Sequence, residues 1–306
     1  LSSSKINNLI RLSCLALRVR DIDKTLVFYE KKVGLQTKKR DQDNDGNLVC
    51  ELGFRDSDQN EEPFLQLHHD ANAKIASSHS AGLFHFAMLV PNRKSLASTY
   101  LALKNSGVQY DGFADHLVSE SLYFRDPENN GIEVYRDRPR QDWPRDPEGH
   151  ILMDTLPLNL QSLVSEMGEA KTEDAIPFPS GAIIGHMHLK VTNLIRSIKF
   201  YHEKFALDIT VDWSSMGAAF LSTGGYHHHI GMNTWHSLNG HSQKNNVAGL
   251  KNFAIVIPDV SFFNKIRSTI ENDYFNFKQR KQQESAYGDQ FMVSDPDGIQ
   301  IVIKSE

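Results

Sequence analysis

The chain has 306 residues, of which 40% are hydrophobic and 23% charged, and its formal net charge is -5. That length can carry two ordinary domains with a core each, and the balance belongs to a folded chain rather than a disordered one. The acidic excess leaves no basic footprint for nucleic acid, and no apolar run approaches the ~20 residues of a membrane span.

In chain order, residues 1–5 lack the charged, apolar and small-residue succession of a secretory leader, so a cytoplasmic location is the expectation. Cys14 and Cys50 are the only cysteines and imply no disulfide framework. Residues 15–21 read as a strand and 25–30 as a helix stopping near Gly34. Residues 83–91 form a second strand, followed by a helix around 95–106. Strands then lead to a turn at Asp126-Pro127, where Asn130-Gly131 supplies residues that tolerate positive φ.

The same order recurs after a charged, proline-rich stretch from Arg136 to Pro147. Residues 186–191 repeat the first strand, and Phe200-Tyr201 repeats Phe28-Tyr29 at the same distance from its valine. Residues 250–258 repeat 83–91, and Asp295-Pro296 repeats the closing turn. The reading is an α+β chain of four βαβββ modules, roughly 14–70, 83–136, 184–236 and 250–304. Paired in order, they give domains over 10–139 and 183–306, each a curved mixed sheet forming a cup. A linker with a short helix, spaced over 156–167, joins them across 140–182.

Glu133 lies in the strand after the first Asp-Pro turn, and Val302 takes its place after the second. A carboxylate in a half-buried strand faces solvent or is paired by an arginine or a metal ion. His85 reads either as a hydrogen-bonded core histidine or as a ligand in register with Glu133. Tyr123 lies an even number of residues from Glu133, so a regular hairpin puts both on one face. His186 and His188 alternate onto one face of their strand. Of His227, His228 and His229, which follow Gly224-Gly225, His228 has the better claim to point inward with His186. That group reads as a histidine-rich site for Zn(II) or Ni(II), or as a polar lining of the cup or a domain interface.

The paired modules, the Phe-Tyr helix and the closing Asp-Pro strand resemble the vicinal oxygen chelate superfamily of glyoxalases, bleomycin-resistance proteins and extradiol dioxygenases. The stretches from His116 to Pro127 and from Gly225 to Trp235 are similar to two-domain bacterial catechol-2,3-dioxygenases. The resemblance implies two histidines and a glutamate holding Fe(II), with Mn, Zn or Ni as alternatives. It also implies a catechol-like aromatic substrate, O2 and a homo-oligomer. In the N-terminal pair the ligand positions fall on Cys14, His85 and Glu133, with Gln66 available to complete the set. In the C-terminal pair they fall on His186, Asn252 and Val302, and Met292 stands where the first pair has Tyr123. The resemblance gives Tyr123 a hydrogen bond to substrate oxygen and His116 a proton transfer, for which imidazole is suited near neutral pH. The rival readings are a glyoxalase-like isomerase or lyase and a metal-free protein that binds an aromatic ligand.

Overall fold

The computed structural model describes residues 10–54, 61–168, 178–179, 181–273 and 289–306. Residues 1–5, read above for a leader, and residues 169–177 and 180 of the expected linker lie outside the described residues. Module one comprises β1 (Arg11–Val19), α1 (Ile22–Val27, continued by a wider turn over Phe28–Val33), β2 (Gln36–Gln42), β3 (Leu48–Gly53) and β4 (Leu65–His69). Module two comprises β5 (Gly82–Leu89), α2 (Arg93–Asn105), β6 (Tyr110–Asp115), β7 (Ser119–Arg125) and β8 (Gly131–Asp137). In the connecting stretch, β9 (Leu156–Pro157) pairs with β6, and α3 (Leu160–Ser165) follows. The expected helix therefore begins later than its apolar spacing implies, because Asn159 caps it by accepting from the Ser162 N–H.

Module three comprises β10 (Ile183–Lys190), α4 (Leu194–Phe205), β11 (Asp208–Trp213), β12 (Ala218–Ser222) and β13 (Ile230–Asn233). Module four comprises β14 (Gly249–Ile257), α5 (Val260–Asp273), β15 (Gln290–Ser294) and β16 (Gln300–Ser305). None of the described helices is long and apolar enough to cross a membrane.

Local chemistry sets these boundaries. Asp21, Asn92 and Asn193 cap α1, α2 and α4 by accepting the N–H three residues on. Gly34, at φ 87°, ends the first helical stretch in the left-handed region. In both Asp-Pro turns one carboxylate oxygen folds the loop. Asp126 Oδ1 accepts from the Glu128 and Asn130 N–H groups, and Asp295 Oδ1 from those of Asp297 and Ile299.

Two curved mixed sheets result, as expected, but consecutive modules do not share them. One sheet runs β15-β16-β14-β1-β4-β3-β2 and joins modules one and four. The other runs β11-β12-β13-β10-β5-β8-β7-β6-β9 and joins modules two and three. The seams are antiparallel, β1 against β14 and β10 against β5. Consecutive modules meet instead through their helices: Tyr29 donates to Asp126 at 3.0 Å and Tyr201 to Asp295 at 3.2 Å. The pairing in order expected from the sequence is thus replaced, because each repeated strand carries edge groups that suit either partner.

Candidate metal centre

The seam between β5 and β10 brings the chemistry-bearing residues together. Across β7, β8, β5 and β10, the register aligns Tyr123, Glu133, Ala87 and His186 in one row. Two residues along each strand, and so on the same face, the next row aligns Arg125, Gly131, His85 and His188. Ala87 and Gly131 are the small members, and Gly131 permits a close approach of β5, since a Cβ there would lie 2.2 Å from the Phe84 carbonyl oxygen. Bulges at Gly185 on β10 and Phe84 on β5 interrupt the seam, and the second turns Phe84 onto the same side as His85.

His85 Nε2 lies 2.9 Å and His186 Nε2 3.0 Å from the same oxygen, Glu133 Oε2. One ligand atom from each of the three lies within 4.8 Å of those of the other two. All three residues are buried, Glu133 to 2% exposure. Burial opposes ionisation of Glu133, yet His186 and His85 outweigh it and hold the carboxyl well below its usual range. Burial lowers the His186 pKa to about 4 despite Glu133 beside it, so a neutral imidazole faces a carboxylate.

These residues fit a divalent ion. His85 Nε2 is close to the carboxylate but lacks hydrogen-bond geometry, which leaves it a buried nitrogen without a hydrogen-bond partner. Such a group needs an explanation, and two imidazole nitrogens with one carboxylate oxygen form the donor set that keeps open positions on a non-haem Fe(II). The trio lies at a cavity of about 330 Å3.

His116 and Tyr123 also line that cavity. The His116 Nδ1–H donates to the Asp154 carbonyl at 2.8 Å. Its Nε2 is thereby left to accept the Tyr123 hydroxyl at 2.7 Å. Burial and then Glu133 raise the Tyr123 pKa well above 10, keeping it a phenol. His228 borders the cavity too, with its ring centroid 4.0 Å from that of His186. Its Nδ1 is 2.8 Å from His227 Nδ1, and His227 Nε2 is 2.9 Å from Asp137 Oδ1. For neutral rings, Asp137 as the fixed acceptor makes His227 accept from His228 Nδ1–H, and His228 Nε2 is left without a proton. His228 is not among the three residues whose ligand atoms lie together, and so it stands beside the trio. His229 Nδ1 is turned to Ser222 Oγ, at 2.7 Å.

The remaining ligand positions lie on the other sheet. There the equivalent rows hold Met292, Val302 and Ala254, and Ser294, Gln300, Asn252 and Ala16. Cys14 lies on β1 in that sheet, not beside His85 and Glu133, and burial, ahead of Glu62, pushes its thiol pKa up. Gln66, on β4, donates to Glu51 at 3.1 Å and does not complete the set either. His186 occupies the position the sequence reading gave to Cys14. Sequence reasoning missed the aromatic wall of Phe84, Trp213, Phe220 and Trp235, whose members come from two modules and carry no shared spacing.

Comparison with known proteins shows the family. The model of the Glyoxalase/Bleomycin resistance protein/Dioxygenase superfamily matches residues 11–134 and 183–303. A catechol-2,3-dioxygenase of Bacillus subtilis (strain 168) is 34% identical over 281 residues, covering 92% of each chain. The crystal structure of a Bacillus subtilis protein classed as a dioxygenase superposes with a TM-score of 0.66 at 12% identity, covering 97% of this chain and 85% of that one. Glyoxalase I from Zea mays superposes at 0.57 and 17% identity, covering 96% and 92%. With modules matched along almost its whole length, the chain belongs to the glyoxalase/bleomycin resistance/dioxygenase superfamily.

Proposed function

We propose that the protein is an extradiol dioxygenase that opens a catechol-like ring with Fe(II) and O2. The observation that carries this reading is the convergence of His85, Glu133 and His186 on one point at a cavity. Those three residues would hold the ion; Fe(II) is the metal of this reading because the set leaves open positions for substrate and O2, and Mn, Zn or Ni would fit the same donors. When bound, Fe(II) supplies two-point chelation of vicinal oxygens, acidifies them and mediates electron flow to O2.

The chain's own groups do the rest. Tyr123 is a phenol whose proton is directed to His116, so a substrate oxygen near it meets a neutral hydrogen-bonding pair rather than a charge. His116 Nε2 takes up or returns a proton through the Tyr123 hydroxyl, and its orientation is held by the Asp154 carbonyl. On the opposite side His228 offers a bare Nε2 to a catechol hydroxyl. The apolar wall excludes water and aligns the ring.

Two arguments for the rival readings are weaker here. The isomerase reading leaned on Gln66, which lies on β4 beside Glu51. The metal-free reading leaned on a missing ligand, a place that His186 takes. The similarity to a catechol-2,3-dioxygenase over 92% of the chain adds to the dioxygenase reading. Anaerobic loading with Fe(II), followed by catechol and air, tests it. The expected result is one O2 consumed per catechol, with a coloured ring-opened product. Retention of iron without O2 uptake for any catechol overturns it.

A further inference from the structure

The cavity over the trio is unequal in its chemistry. Its floor carries Glu133 and the imidazoles, while Phe84, Trp213, Phe220 and Trp235 build one wall. The rings of that wall form a chain of contacts, Phe84 to Trp235 at 5.3 Å and Trp213 to Phe220 at 5.4 Å between centroids. His188 joins it as a further aromatic face: its ring lies 5.0 Å from Phe84 and 5.7 Å from Phe220, and its Nε2 accepts from Asn233 Nδ2 at 3.0 Å.

Among the described residues lining this cavity, Arg125 is the single lysine or arginine. It is committed elsewhere. Its Nε donates to Asp111 Oδ2 at 2.7 Å and its Nη1 to the Asn129 carbonyl at 3.2 Å. It is also part-exposed, at 43%. A ligand carboxylate lodged against these rings would lose its water without gaining a cationic partner from the wall.

We propose that this cavity selects catechol-like rings bearing an uncharged, apolar substituent and rejects those bearing a carboxylate, with Phe84 and Trp235 as the surfaces that receive the substituent. The proposal deepens the reading of the site as an aromatic-ligand pocket and rests on it. Trp235 sets the mouth: it is half exposed, with its indole Nε1–H donating to the Met216 carbonyl at 2.9 Å, so its ring is held in place while one face stays open. A substituent reaching it buries apolar surface on both sides, the usual source of affinity in such sites.

The test compares two ligands of matched shape and different charge, 4-isobutylcatechol and 3,4-dihydroxyphenylacetate. Trp213 and Trp235 report binding by their fluorescence, so the measurement does not require turnover and is made on both the metal-free and the Fe(II)-loaded protein under anaerobic conditions. The expected result is a dissociation constant lower for the isobutyl compound by on the order of 100-fold. Trp235→Lys, which places a cation at the wall, is expected to shrink that ratio at least tenfold. Equal affinities, or tighter binding of the carboxylate, overturn the proposal whether or not the variant folds. Selective binding without O2 uptake would leave this selectivity standing and remove the dioxygenase reading, so the two fail separately.

Discussion

The Tyr135 hydroxyl occupies the space a side chain at position 185 would need, since a Cβ on Gly185 would lie 1.8 Å from that oxygen. Gly185 is the bulged residue immediately before His186, and the Tyr135 ring lies 4.9 Å from the His186 ring. The glycine thus lets a tyrosine of module two support His186, the candidate ligand from module three. Gly185→Ala is expected to destabilise the protein by about 2–3 kcal/mol as Tyr135 is displaced. It should weaken metal binding as well. Denaturant unfolding and a metal titration on the surviving folded fraction check both effects.

Tyr135 and Tyr226 share a buried hydrogen bond of 2.7 Å between their hydroxyls. Removing one hydroxyl strands the other away from water. Tyr226→Phe is expected to cost about 1–2 kcal/mol, and the double replacement with Tyr135→Phe less than the sum of the two singles. Chemical denaturation of the four proteins closes that cycle. Strict additivity would mean the two hydroxyls do not support one another.

Tyr123 touches His116 but is not among the three putting ligand atoms together. Tyr123→Phe is therefore expected to leave metal content unchanged and to lower kcat roughly 100-fold. Metal analysis and steady-state O2 uptake on the same preparation separate the two effects. Loss of metal would place Tyr123 in the support of the centre instead.

The second Asp-Pro turn carries a pH dependence of its own. Burial, with Asp297 adding to it, pushes the Asp295 carboxyl from 3.8 up to about 7, against the N–H groups and the Tyr201 hydroxyl that favour its charge. Between these values the folded protein holds a proton that the unfolded chain has released. This contribution to stability is therefore full below pH 3.8 and is lost as pH rises through 7. Asp295→Asn keeps an oxygen for the two backbone donors and should remove the slope. At pH 8 the gain over wild type is expected to be on the order of 1–3 kcal/mol. Thermal or urea unfolding at pH 5 and pH 8 measures it.

The four modules were legible because each carries its own local signals. Phe28-Tyr29 and Phe200-Tyr201 mark two helices, and Asp126 and Asp295 mark two turns whose carboxylates fold the loop. Which modules share a sheet was not legible from these signals. A repeat related by translation gives every first strand the same apolar edge, so local pattern does not decide between partners. The residues did hold a clue of another kind. Pairing in order breaks both ligand sets, at Cys14 in one and at Asn252 and Val302 in the other. Pairing modules two and three assembles His85, Glu133 and His186 and sends all three misfits to the other sheet. The wall of Phe84, Trp213 and Trp235 left no such trace, because a bulge and the ends of separate strands place those rings.

The central claim is a single metal centre built across modules two and three. Its most direct test is the metal content per chain after anaerobic Fe(II) loading of wild type, His85→Ala, His186→Ala and Asn252→Ala. One iron per chain is expected in wild type and in Asn252→Ala, and none in either histidine variant. Two irons in wild type, or iron retained in His186→Ala, would contradict it.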